Sequence, residues 1–144
     1  MALDRLYQQL VLEHNRAPRN FGRLPGATHA ARGQDALCGD DILFELRVRD
    51  GRVEAAGFSG EACAITKASA SLLTEWLDAR AVESLPGWQA RFEALMSDPE
   101  RDDDPEFGAI NQLRAVAAFP ARVRNALLPW QAMRQALDQA PAGN

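Results

Sequence analysis

Apolar residues recur along this chain with two periods, and the switch between them divides it. Leu3, Leu6, Tyr7, Leu10, Val11 and His14 fall at helical spacing, which predicts an amphipathic helix over roughly the first 14 residues. Pro18 ends that pattern, and residues 15–27, with Pro18, Gly22, Pro25 and Gly26, read as an extended connection. The period then becomes two. Ile42, Phe44, Leu46 and Val48 alternate with Leu43, Glu45, Arg47 and Arg49, the signature of a strand with one strongly apolar face. Asp50-Gly51 is a hairpin turn, and Val53, Ala55 and Phe58 suggest the return strand, with Gly57 marking a bulge. A preceding strand around residues 28–35 has a fainter pattern. From Cys63 to about Asp78 the helical period returns on Ile65, Leu72, Leu73, Trp76 and Leu77, while Ala64, Ala68, Ser69 and Ser71 make a small face that permits close packing. Trp88, Phe92, Leu95 and Met96 predict a third helix after Pro86. Residues Ser97 to Glu106 read as a solvated acidic loop, and a short helix follows around Phe107 to Val116. A last helix runs from Pro120 to about Gln139. Pro129 lies inside it, so the Asn125 carbonyl loses its usual i+4 donor and a kink is expected there. Helix, then sheet, then helices describes an α+β domain: a small antiparallel sheet covered by helices on one side.

Composition narrows the function classes. The chain has 144 residues, 47% of them hydrophobic, which fits one domain over residues 1–144 with a real core. The net charge of −4 offers no general phosphate-binding surface, so nucleic acid is not an expected partner. No stretch approaches the ~20 apolar residues of a membrane span. Met1-Ala2-Leu3-Asp4-Arg5 opens without an apolar targeting segment, so a cytoplasmic, reducing setting is expected, in which two cysteines are free or metal-bound rather than disulfide-linked.

Those two cysteines carry the candidate chemistry. One lies in Leu37-Cys38-Gly39-Asp40-Asp41, ahead of the first clear strand, and the other in Gly60-Glu61-Ala62-Cys63-Ala64, where helix N–H groups favour a thiolate. A hairpin between the strands brings the two segments together although they are 25 residues apart in sequence. Gly39 lets the backbone turn, so that Cys38 and Asp40 can point the same way. With Asp40, the two thiols make three ligands for one metal ion, a mixture Zn(II) tolerates. The bland alternatives are that a free cysteine is a small buried hydrophobe and that Asp40 only forms a turn. His14 reads as a satisfied structural residue before a ligand. Arg16 and Arg19 read as solvated arginines or a docking patch, and Trp76, Trp88 and Trp130 as core. Phosphate loop, nucleophile elbow and paired-carboxylate motifs are all lacking in the sequence.

These segments also resemble a known family. Leu6-Tyr7, His14-Asn15-Arg16-Ala17-Pro18-Arg19-Asn20-Phe21-Gly22, Cys38-Gly39-Asp40, Gly60-Glu61-Ala62-Cys63-Ala64-Ile65, the helix Ala68-Ser69-Ala70-Ser71, Phe119-Pro120-Ala121-Arg122-Val123-Arg124 and Trp130 are together similar to the U-type iron–sulfur assembly proteins. That group contains the N-terminal domain of NifU, IscU and SufU. The extra stretch at about residues 84–110, and Arg124 where IscU-type members carry histidine, resemble the SufU branch. The resemblance implies an α+β fold with a three-stranded sheet and a site of three cysteines and one aspartate. In SufU-like members that site holds zinc, and a cysteine there accepts persulfide sulfur from a PLP-dependent cysteine desulfurase of the SufS type. In IscU-like members it assembles a transient iron–sulfur cluster.

The third cysteine of that pattern should follow Val123-Arg124, and Asn125 stands there instead. Asn is a neutral, hard, weak donor in place of a soft anionic thiolate, so metal affinity at Cys38, Asp40 and Cys63 should fall, with water or the Asn125 oxygen as a poor fourth ligand. Three functions follow. The first is a sulfurtransferase-like acceptor in which Cys38 carries the persulfide, Cys63 and Asp40 tune it and Arg122 supplies a cation. The second is a cluster scaffold. The third is a metal-free module that docks on the desulfurase or another assembly protein.

Overall fold

The computed structural model describes residues 2–139. Helix α1, Ala2–Arg16, turns Leu10 and His14 into the interior and packs Tyr7 and Val11 against the core. The side chains of Leu3 and Leu6, assigned to the same stripe by the sequence, lie outside the described set. Strands β1 (His29–Asp35), β2 (Asp40–Arg49) and β3 (Arg52–Glu61) form one antiparallel sheet in the order β1-β2-β3. The faint pattern at 28–35 is therefore a full strand: only Ala31, Gly33 and Asp35 of it point inward, which leaves little apolar signal to read.

The bulge lies elsewhere than expected. Arg47 pairs with Ala55 and Val48 with Val53, so Glu54, not Gly57, is the extra residue. Its insertion changes the alternation and puts Val53 on the same buried face as Ala56 and Phe58. Gly57 instead leaves room for the connection from α1: a Cβ there would lie 3.3 Å from the Asn20 carbonyl oxygen. That connection bonds to the outer edge of β3, with Gly22 N–H on the Phe58 carbonyl at 2.8 Å and Phe58 N–H on that of Asn20 at 3.1 Å. It also covers Glu45, whose buried carboxylate accepts from Arg23 Nε and Leu24 N–H, each at 3.1 Å.

Helices α2 (Ala64–Trp76), α3 (Leu85–Ser97) and α4 (Pro120–Asp138) build the other layer, with a 3₁₀ segment, Pro105–Ala118, in place of the short helix. That segment is broken at Gly108 (φ 53°). Ile42, Phe44, Leu46 and Phe58 are fully buried beneath the helices. Trp130 stacks on Phe92 at 5.0 Å, and Trp76 and Trp88 meet edge-on at 5.1 Å at the rim of this cluster. The acidic loop is exposed as expected, but Arg91 and Arg114 pin it through Asp104 and Asp103. Arg19 is engaged by Glu13 at 2.5 Å, and His14 Nδ1 shares a 2.6 Å hydrogen bond with Ser71 Oγ. Among the described residues, no helix is long and apolar enough to cross a membrane.

Candidate functional site

Pairing of β2 with β3 in the register Asp41↔Glu61 brings the two cysteine segments together. Gly39, at φ +73°, closes the β1–β2 turn and leaves Cys38 exposed at its tip. Gly60, at φ +111°, lets the backbone of β3 lie close on β2 just before the strand ends: a Cβ there would lie 2.2 Å from the Asp41 carbonyl oxygen. Cys63 then takes the N-cap position of α2, half-buried.

Asp40 is the hub. It is 3% exposed, and four donors from three residues converge on its carboxylate. Cys63 N–H donates to Oδ1 at 2.7 Å, while the Thr66 hydroxyl at 2.5 Å and Asn125 Nδ2 at 3.0 Å donate to Oδ2. Cys63 Sγ is 3.7 Å from the same Oδ2. Cys38 Sγ lies 3.7 Å from Asn125 Oδ1. A carboxylate at the start of α2 is also favoured by the helix dipole. The expected orphan carbonyl of Asn125, opened by Pro129, faces the Thr66 hydroxyl at 3.3 Å, and Ser69 Oγ donates to the next carbonyl, of Ala126, at 2.6 Å. The small face of α2 thus fastens it to α4.

Residues 6–126 match the NifU-like N-terminal domain. The chain belongs to that family. Among the relatives of this NifU-like domain, the zinc-dependent sulfurtransferase SufU of Bacillus subtilis is 34% identical over 99% of this chain and 96% of its own. The iron–sulfur cluster assembly scaffold protein IscU of Thermotoga maritima is 31% identical over 96% of this chain and 97% of its own. The solved N-terminal part of a nitrogen-fixing NifU-like protein from Brucella abortus has the same fold, with a TM-score of 0.82 at 21% identity over 96% of each chain.

In this NifU-like domain Arg122 and Arg124 have separate surroundings. Arg122 lies beside the Tyr7 phenol, whose pKa burial pushes up against the pull of that guanidinium. Arg124 is the cation beside Cys38. Its Nε donates to Asp35 Oδ2 at 2.6 Å, and Asp35 first, then the Cys38 sulfur, raise its already high pKa. Asp35 is correspondingly held below the usual carboxylate range, chiefly by Arg124, and also accepts the Leu37 N–H at 3.0 Å. Sequence reasoning missed Arg124, Asp35 and Thr66 as site residues. Period two would put Asp35 on the same face as Ala31, but the apolar pattern of β1 is too faint to read that from the sequence, and nothing in the spacing marked Thr66. Both cysteines open on a groove of about 770 Å³ between the middle of α1 and the starts of α2 and α4, lined by Tyr7, Val11, Leu37 and Ile65 among others.

The donor set fits a metal poorly. Among the described residues, no three His, Cys, Asp or Glu side chains are grouped as a metal site. Both Asp40 oxygens are already engaged by internal donors, and Asn125 turns N–H, not a lone pair, toward Asp40.

Proposed function

We propose that this protein is a sulfur acceptor in iron–sulfur cluster biogenesis, charged by a PLP-dependent cysteine desulfurase, with Cys38 as the accepting thiol. The observation that carries the reading is the setting of Cys38: exposed at a hairpin tip, beside the Arg124 cation and at the mouth of an apolar groove. The sulfurtransferase relative, alike over nearly the whole of both chains, supports it.

The step needs no oxidant. The Cys38 thiolate attacks the terminal sulfur of the desulfurase persulfide. A new S–S bond forms to Cys38 as the old one breaks, the donor cysteine leaves as thiolate, and the proton on the terminal sulfur travels with it. Arg124 and Arg122 both line the groove on which Cys38 opens and supply cations for an anionic sulfur in transit. Cys63 is the more enclosed thiol of the pair, with its sulfur 3.3 Å from Thr66 Oγ1 and its N–H on Asp40. Zinc or a cluster, when bound, would fall to Cys38, Asp40 and Cys63, and the transfer above needs neither. The scaffold role named for the IscU relative is the weaker reading, because Cys38, Asp40 and Cys63 give a cluster only three of its usual four ligands, two of them thiolates, unless two chains share it.

Incubation with a cysteine desulfurase and free cysteine, followed by mass spectrometry, tests the reading. One added sulfur on Cys38 is expected, lost in Cys38→Ser with the fold intact. A wild-type chain that binds the desulfurase yet takes no sulfur would reduce the protein to a docking module.

A further inference from the structure

Resting on the sulfur-acceptor reading, we propose that the site works without a metal because the Asn125 side chain replaces one, bridging Cys38 and Asp40 as a neutral clamp. A buried carboxylate needs positive partners. Around a metal-bound aspartate the ion is the chief one. Here the Asp40 carboxylate receives the Cys63 N–H, the Thr66 O–H and the Asn125 amide N–H. No described buried side-chain N or O atom is left without a partner, so the pocket has no outstanding demand for a cation.

The chemistry of residue 125 fixes which way the amide points. Nδ2 is the donor to Asp40, and the reverse orientation would aim the carbonyl oxygen at a carboxylate. Oδ1 is thereby left toward Cys38 Sγ, 3.7 Å away, as an acceptor for a thiol proton. A thiolate at position 125 would bring a further anion next to Asp40 and would require a cation. The carboxamide removes that charge and adds the missing donor in one group. It is also well placed to persist: Asn125 is 3% exposed, and its backbone carbonyl faces Thr66. The outcome is a Cys38 sulfur available for transfer without first leaving a metal.

The test uses the whole chain, purified without chelator. Zinc content, zinc affinity against a chromogenic competitor, melting temperature with and without chelator, and the rate at which Cys38 reacts with a disulfide reagent are measured on wild type and Asn125→Cys. The wild type should hold no stoichiometric zinc, and chelator should change neither its melting temperature nor its thiol rate. Asn125→Cys should gain one zinc per chain and bind it more tightly by roughly a hundredfold or more, beyond the effect of an outer-shell partner. One chelatable zinc in the wild type, whose removal lowers its melting temperature, would overturn the proposal. So would equal zinc affinity before and after the substitution. The wild-type measurements decide alone if the variant does not fold. Persulfide labelling of the wild type separates the two readings: labelling that needs zinc defeats metal independence, whereas no labelling under any condition defeats the sulfur-acceptor role instead.

Discussion

Thr66 has one hydroxyl proton and three partners in reach that could accept it, Asp40 Oδ2 at 2.5 Å and the Asn125 carbonyl and Cys63 Sγ at 3.3 Å each. The charged, nearer oxygen takes it. Thr66→Val keeps the shape and removes the donor, so it should cost about 1–3 kcal/mol in urea unfolding, with Thr66→Ser close to wild type. Nothing in a small-residue face tells this threonine from its neighbours, which is why the sequence did not reveal it. His14 was legible, because a histidine at an apolar helical position is a buried structural residue, and Ser71 is its partner. Burial holds His14 below its usual imidazole range. The unfolded chain therefore takes up the proton first. This contribution to stability is present above pH about 6.5 and is lost as pH falls from there through the lower folded-state value. Asp35, held low chiefly by Arg124, adds a second loss in a more acid window. Denaturant titrations between pH 5 and 8 should show the first slope, and His14→Gln should flatten it.

At the scale of elements, two glycines frame the cysteines and differ in what surrounds them. Nothing lies within 4 Å of a Cβ built at Gly39, whereas one at Gly60 meets the Asp41 carbonyl oxygen at 2.2 Å. Gly39→Ala should cost about 1–2 kcal/mol, the backbone penalty alone. Gly60→Ala should cost clearly more, since β2 must also shift, and should pull Cys63 away from Asp40. Equal losses in thermal unfolding would refute the distinction. The β2–β3 hairpin and all four α-helices were legible because period-two and period-3.6 patterns are strong over ten or more residues. The bulge was not. A glycine in a strand marks either an extra residue or a close backbone approach, and only the packing of residues 20–22 on Gly57 decides between them. The role of Pro129 was half legible: the freed carbonyl was visible, the hydroxyl facing it was not.

Across the whole molecule, one layer of helices covers one face of the sheet, and both thiols emerge at the same end, where Leu12 and Leu37 are 67% and 81% exposed. Side chains that open contribute little to folding. Leu37→Asp should leave the melting temperature unchanged and raise the desulfurase concentration needed for half-maximal sulfur transfer by roughly tenfold; an unaltered requirement would place the docking surface elsewhere. That the segments carrying Cys38, Asp40 and Cys63 meet was legible from hairpin logic, although the three side chains do not group as a metal site among the described residues; the identity of the neighbouring cation was not legible, since Arg122 and Arg124 are only two residues apart on one helix and differ by which side of it they leave. One last property follows from the way α2 begins. The first amides of a helix have no partner within it and ordinarily exchange with solvent fast. The Cys63 amide is held instead by a buried carboxylate on a strand, so its deuterium uptake should be anomalously slow. It becomes a built-in clock for the site, running fast whenever the strand and the helix part, and readable by NMR without touching either sulfur.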